Sequence, residues 1–145
     1  MIEGVTNADA IPVLERLMQF AGARHRLIVH NVANLDTPDF RPADVSVEDF
    51  QANLAEAVDE RRARNGYGAG PLEIESTDDV EFTERGLELH PTPVGDNLLF
   101  HDRNDRDPER LMQDMVENFM TFRMAADFVK NRFNLINTAI RERVS

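Results

Sequence analysis

The sequence predicts a mainly α protein. Long N- and C-terminal helices pair as a coiled-coil-like bundle, with a small, loop-rich, partly β middle region between them. Three observations carry this: an apolar seam near each end, a centre rich in turn residues, and a charge distribution that sets the ends apart from the middle. Residues 11–43 carry three acids and four bases, and residues 101–145 carry eight of each. Residues 44–88 carry thirteen acids against four bases, which places −9 of the net charge of −11 in the middle.

The N-terminal element comes first. Ile11, Leu14, Met18, Ala21, His25, Ile28, Val32 and Leu35 alternate at spacings of three and four, a heptad seam with one polar break at His25. A straight helix over that span is about 37 Å long. Pro12 suits a first turn, where its missing N–H costs nothing. Val13, Phe20 and Leu27 widen the apolar face.

The middle follows. Residues 48–64, EDFQANLAEAVDERRAR, are rich in helix formers and predict a short helix. NGYGAGP then breaks the chain. Its glycine spacing lacks the Lys-Ser/Thr and the following helix of a phosphate cradle, so it reads as a turn. LEIESTDDVEF alternates on both sides of Ser76-Thr77-Asp78-Asp79, which predicts a hairpin turning there. NLLFH, residues 97–101, predicts a further strand.

The C-terminal seam is cleaner. Met112, Met115, Phe119, Phe122, Ala126, Val129, Phe133, Ile136 and Ile140 alternate at three and four with no polar member. Pro108 and Glu109 start the helix after Asp105 and Asp107. The span is about 43 Å. A second, less pure row of Val116, Met120, Met124, Phe128 and Leu135 lies on the other side of the same helix, with Lys130 between the two. One partner helix cannot cover both rows. Either the middle region or other subunits must cover what remains. Spacing leaves the pairing direction open, parallel or antiparallel.

Several function classes are excluded or unsupported. The 145 residues contain no Cys, which removes disulfides, thiolate catalysis and Cys-based zinc sites. No apolar run approaches the roughly 20 residues that span a bilayer. MIEGVTNADAIPVLERLM lacks the basic-then-apolar pattern of a cleaved signal. The chain is therefore expected to stay in the cytoplasm or to leave by a route that needs no cleaved signal. No concentrated positive charge offers itself to a phosphate backbone, so no nucleic-acid partner is expected. DRNDRD, residues 102–107, fails the EF-hand pattern in both registers, because position 6 falls on Asp107 or Arg110 rather than Gly. His25 and His30 are five apart and do not share a helix face, and His90 and His101 lack a zinc-protease context. No nucleophile elbow, P-loop or dinucleotide fingerprint occurs, and no carboxylates form a placed acid–base pair. No catalytic residue, metal, cofactor or small-molecule substrate is expected, and the chain is read as no enzyme.

One stretch carries a specific signal. NVANLDTPDFRPADV, residues 31–45, resembles the signature near the N-terminus of bacterial flagellar rod, hook and hook-associated proteins, N-[IVL]-A-N-x-x-T-P-G-[YF]-[KR]. Asn31, Ala33, Asn34, Thr37, Pro38, Phe40 and Arg41 match it, and Asp39 stands where that pattern has Gly. The C-terminal NDRDPERLMQDMVENFMTFRMAADFVKNRFNLINTAI resembles the same family at Asn104, Asp107, Glu109, Asn118, Phe122, Lys130, Phe133 and Ile140. With the short chain, this points within the family to a proximal rod subunit.

The resemblance implies a structural protein of the flagellar basal-body rod, which packs its terminal helices side by side with those of its neighbours. Residues 1–40 and 108–145 would be the two helices of the axial coiled-coil domain, the first carrying the signature, and 41–107 the acidic middle. The implied partners are further copies of the chain, the rod proteins FlgC, FlgF and FlgG, the rod adaptor FliE, the membrane-embedded ring and the flagellar type III export apparatus. The implied location is the periplasmic rod, reached without signal cleavage. The signature residues Asn31, Ala33, Asn34, Thr37, Pro38 and Phe40 would either cap the helix end or meet a neighbouring subunit. Met115, Phe119, Phe122, Val129, Phe133 and Ile136 would form the seam within the subunit, and Met120, Met124 and Phe128 the second face. A soluble cytoplasmic helical adaptor or chaperone-like module would share the seams and the acidity. It would have no reason to carry the NVAN and TPDF segment.

Overall fold

The computed structural model describes residues 10–65, 71–83, 86–93 and 107–142. In chain order these form α1 (Ala10–Ala33), β1 (Ala43–Asp44), α2 (Val47–Asn65), β2 (Val80–Thr83), β3 (Gly86–Leu89), β4 (Thr92–Pro93) and α3 (Pro108–Glu142). Long terminal helices with a small strand-containing middle are the predicted fold class. The strand expected at 97–101, residues 66–70 of the glycine-rich turn, and residues 102–106 with His101 lie outside the described residues.

The helices α1 and α3 pair antiparallel, which settles the direction the spacing left open. Asn118 reaches the Ala21 carbonyl and Asp114 reaches Arg24, so α1 ascends as α3 descends. At 1.5 Å per residue this register carries Ala10 to the level of about Val129, and α3 runs on for roughly 20 Å beyond.

The contact has the predicted period but a different phase. On α1 the inward residues are Ala21, Arg24, Ile28 and Asn31, all buried. Ala21 and Ile28 belong to the expected seam, while Arg24 and Asn31 replace the exposed His25 and Val32. On α3 the most buried residues are Leu111, Asn118 and Ala125, each one position before the expected Met112, Phe119 and Ala126. Phe119 (49%), Phe122 (38%) and Phe133 (52%) are exposed, whereas Met115, Val129 and Ile136 are half-buried. The physical reason is close approach. Alanines on the contact let the helices come together, and the polar groups Asn118, Asp114 and Arg24 find partners there that a Phe-lined seam would leave unpaired.

The second face of α1 packs on the middle region. Phe20, Val45, Phe50, Leu54 and Val80 form the buried cluster, and Val13 and Leu17 pack against it. The Phe20 and Phe50 rings stack with centroids 3.8 Å apart. The middle thus covers the extra apolar width of α1 at Val13 and Phe20. α2 forms where expected. It buries Phe50, Leu54, Ala57 and Arg61 along one side, and the Ser46 hydroxyl caps it by accepting from the Asp49 N–H at 3.1 Å.

The hairpin is displaced from its predicted position. β2 pairs antiparallel with β3, Val80 opposite Leu89 and Thr83 opposite Gly86, so the ladder turns after Thr83. Gly86, at φ 136°, adopts a backbone conformation that side chains disfavour. Ser76–Asp79 instead bends the chain into β2. Thr77 N–H donates to the Val80 carbonyl (2.8 Å), and the Thr77 and Ser76 hydroxyls accept from the N–H groups of Val80 and Phe82. Leu72 and Ile74 keep the predicted alternation, half-buried against the cluster, without joining a ladder among the described residues.

Candidate functional site

The signature segment lies where α1 ends. Asn31 is 2% exposed and treats β1 as a strand partner would. Its amide NH2 donates to the Ala43 carbonyl (2.7 Å), and its carbonyl accepts from the Ala43 N–H (3.3 Å). Asn34 closes the helix: the His30 carbonyl accepts both its side-chain amide at 2.9 Å and its backbone N–H at 3.2 Å. Thr37 N–H donates to the Asn34 carbonyl (2.9 Å) and Phe40 N–H to the Thr37 carbonyl (3.2 Å), winding the chain back toward β1. The Phe40 ring meets the His30 ring at 5.8 Å. Asp39 has φ 60°, the left-handed conformation for which the family pattern uses Gly. Of the two roles expected for the amides, the structure displays capping and strand pairing within the chain. Ala33, Thr37 and Pro38 are exposed.

A clip that the spacing did not reveal sits about two turns earlier on α1. Arg24, 7% exposed, makes a two-pronged bond to Asp44 (Nε to Oδ1 3.0 Å, NH2 to Oδ2 2.6 Å) and reaches Asp114 at 3.4 Å. One guanidinium so joins α1, β1 and α3. Burial alone would lower its pKa, but the hydrogen bond and charge of Asp44, with the charge of Asp114, outweigh that and raise it. The guanidinium stays charged. Asn118, buried and donating to the Ala21 carbonyl at 2.8 Å, is the second polar tie between the long helices.

The outer side of α3 is uncovered. Met112, Val116, Met120 and Met124 are each more than half exposed, as is Phe128 further along. The second face read from the sequence therefore stays open in the single chain, and Phe119, Phe122 and Phe133 of the expected seam open with it. Beside this surface runs a cleft of about 370 Å³, floored by Leu17, Phe20 and Ala21 of α1, with Val47, Glu48 and Gln51 of α2 on one wall and Glu117 and Thr121 of α3 on the other.

Nothing in this arrangement gathers reactive groups. Among the described residues no three His, Asp or Glu side chains are placed to hold a metal ion. The His90 ring meets the Glu81 carboxylate at 3.2 Å on the exposed side of the hairpin. No described helix is long and apolar enough to cross a membrane. What the site offers is a braced helix end and a broad apolar surface.

No family model matches the chain. Two relatives match along nearly their whole length. The flagellar basal body rod protein FlgB of Borrelia hermsii is 26% identical over 138 residues, covering 91% of this chain and 96% of the relative. FlgB of Bacillus subtilis (strain 168) is 22% identical over 135 residues, covering 92% and 94%. End-to-end similarity to two such proteins, with the signature folded into a braced helix end, makes the chain similar at modest identity to the FlgB flagellar basal body rod proteins and supports a place in that family.

Proposed function

We propose that the chain is a proximal subunit of the flagellar rod and works by packing, without catalysis. The observation that carries this reading is the uncovered apolar surface of α3. A helix with apolar rows on two sides, yet covered on one, is built for neighbours. In this reading the outer residues Met120, Met124 and Phe128, joined by Phe119, Phe122 and Phe133, meet other subunits. The helices within 1–40 and 108–145 form the axial unit, with 41–107 bracing α1 from outside. The neighbours are further copies, FlgC, FlgF, FlgG, FliE and the membrane-embedded ring. The subunit reaches the periplasm through the type III export apparatus with no signal removed.

Deletion of the gene in the source bacterium tests this. The expected result is a non-motile strain whose basal bodies lack the rod. A tagged copy should restore motility and co-purify with basal bodies at its full translated mass. Motile deletion cells, or a tagged protein confined to the cytoplasm as an adaptor would be, overturn the reading.

A further inference from the structure

The cleft between α2 and α3 carries two acids at its rim and an apolar strip along its floor, with the paired Arg24 and Asp114 and the amide of Asn118 also in its lining. Glu48 and Glu117 stand exposed on opposite walls, with Leu17, Phe20 and Phe50 beneath them. At about 370 Å³ it is too small for a helix, which is about 10 Å across, and it suits inserted side chains. The middle region adds its excess of acids on the α2 side. A matching ligand carries an aromatic or aliphatic side chain with a cation beside it.

The chain itself carries such a group. From Phe119 to Glu142, α3 has four bases (Arg123, Lys130, Arg132, Arg141) and two acids (Asp127, Glu142), a basic end on an acidic protein. Within it Phe133 is 52% exposed and Lys130 lies one turn before it, about 60° around the helix. The two share a side. They cannot fill the cleft of their own chain, because Lys130 is about 20 Å along the same helix from Glu117.

We propose that a second copy of the chain docks in this cleft, laying Phe133 of its α3 against Leu17 and Val47 and setting Lys130 against Glu117 and Glu48. The contact joins two different surfaces of the same molecule, so a pair still has one cleft and one knob unused. Such an interface propagates into a ring or a helical stack and does not stop at a dimer. It rests on the reading of the chain as a rod subunit and names one of that subunit's contacts.

The absence of cysteine gives a clean test. Purified full-length Glu117→Cys and Lys130→Cys chains are mixed under mild oxidation. Both positions are exposed, and circular dichroism checks that each variant is folded. The expected result is a cross-linked dimer from the mixture, in clear excess over either variant alone and over a mixture of Glu117→Cys with Arg110→Cys. In parallel, Glu117→Lys and Lys130→Glu should each weaken self-association about fivefold in sedimentation, and the two variants mixed should recover it. Cross-linking equal to the Arg110 control, or strongest within one variant alone, overturns the contact. So does a charge swap that fails to recover. These outcomes are separable from the rod reading, because a deletion strain that lacks rods while the cross-link fails rejects only the cleft.

Discussion

The two long helices have nearly the same apolar spacing and opposite fates. α1 is enclosed on two sides: Ala21 and Arg24 face α3 with Ile28 buried along the same stripe, while Val13, Leu17 and Phe20 face the middle region. α3 is enclosed on one side only, and Met112, Val116, Met120 and Met124 stay in the open. Both are amphipathic helices with a surplus of apolar residues. The difference is that the chain folds its own middle onto α1 and leaves the outer side of α3 exposed. One helix is the core of the subunit, and the other is its surface.

Substitution of the same residue type on each helix should break this comparison most visibly. Phe20 is 3% exposed and stacked on Phe50, so Phe20→Ala leaves a cavity and costs about 3–5 kcal/mol. Phe119 is 49% exposed, and Phe119→Ala should cost less than about 1 kcal/mol. Urea denaturation followed by circular dichroism measures both. Equal costs would mean that the two helices are equally enclosed.

The polar clip should rank next. Arg24→Ala leaves Asp44 and Asp114 facing each other without their cation, a loss of about 3 kcal/mol for a largely buried pair. Arg64 pairs with Glu73 and Glu60 at the surface, and Arg64→Ala should leave the urea midpoint where it is. A small effect at Arg24 would show that α1, β1 and α3 hold together without it.

The elements were legible in the sequence and the contacts between them less so. Heptad spacing located both long helices, because the period of an apolar face is written along the chain. The phase was not written there. Pattern reading gives the inward position to large apolar residues, which favoured Phe119 over Asn118, and the register of the neighbouring apolar residues carried His25 inward in place of Arg24. Close helix pairing favours small residues and side chains that satisfy each other across the contact, and those partners lie 97 and 90 residues away in sequence for Asn118 and Asp114. The hairpin was misplaced for a related reason. Ser76–Asp79 has turn chemistry, and it does make a turn, but the ladder belongs to the next pair of strands, around Gly86. In the signature, Asn34 could be read as a cap from its place at a helix end. Asn31 could not be matched to Ala43, because nothing local shows which strand returns there.

Asp39 should give a smaller effect, and of opposite sign. Its φ of 60° costs a side-chain-bearing residue about 1–2 kcal/mol, less for Asp, which tolerates the left-handed region. Asp39→Gly removes that strain and adds unfolded-chain entropy of about 0.5–1 kcal/mol. The net should be a gain of a few tenths of a kcal/mol, seen as a slightly higher Tm. Asp39→Ala keeps the strain without the tolerance and should lower Tm. If Gly and Ala behave alike, the turn does not use a left-handed residue.

The smallest effect on the subunit should come from its outer face, and it carries the most meaning for the comparison. Met120 is 57% exposed and Met124 56% exposed, so a carboxylate there stays in water when the chain is alone. Met120→Glu and Met124→Glu should each change folding stability by less than about 0.5 kcal/mol. In an assembled rod the same carboxylate would lie against a neighbour's apolar surface, where burial without a partner costs several kcal/mol unless the group takes up a proton. The variants should therefore be folded and exported, and still fail to build rods, as read by urea titration, motility and isolated basal bodies. Ile28→Glu is the counterpart on α1. That side chain is 1% exposed, so its carboxylate is buried within the subunit, and the chain should fail before assembly begins. Normal rods from Met120→Glu and Met124→Glu would mean that the open side of α3 faces solvent in the assembled rod. The subunit's contacts would then have to be sought elsewhere, first at the cleft beside Glu117.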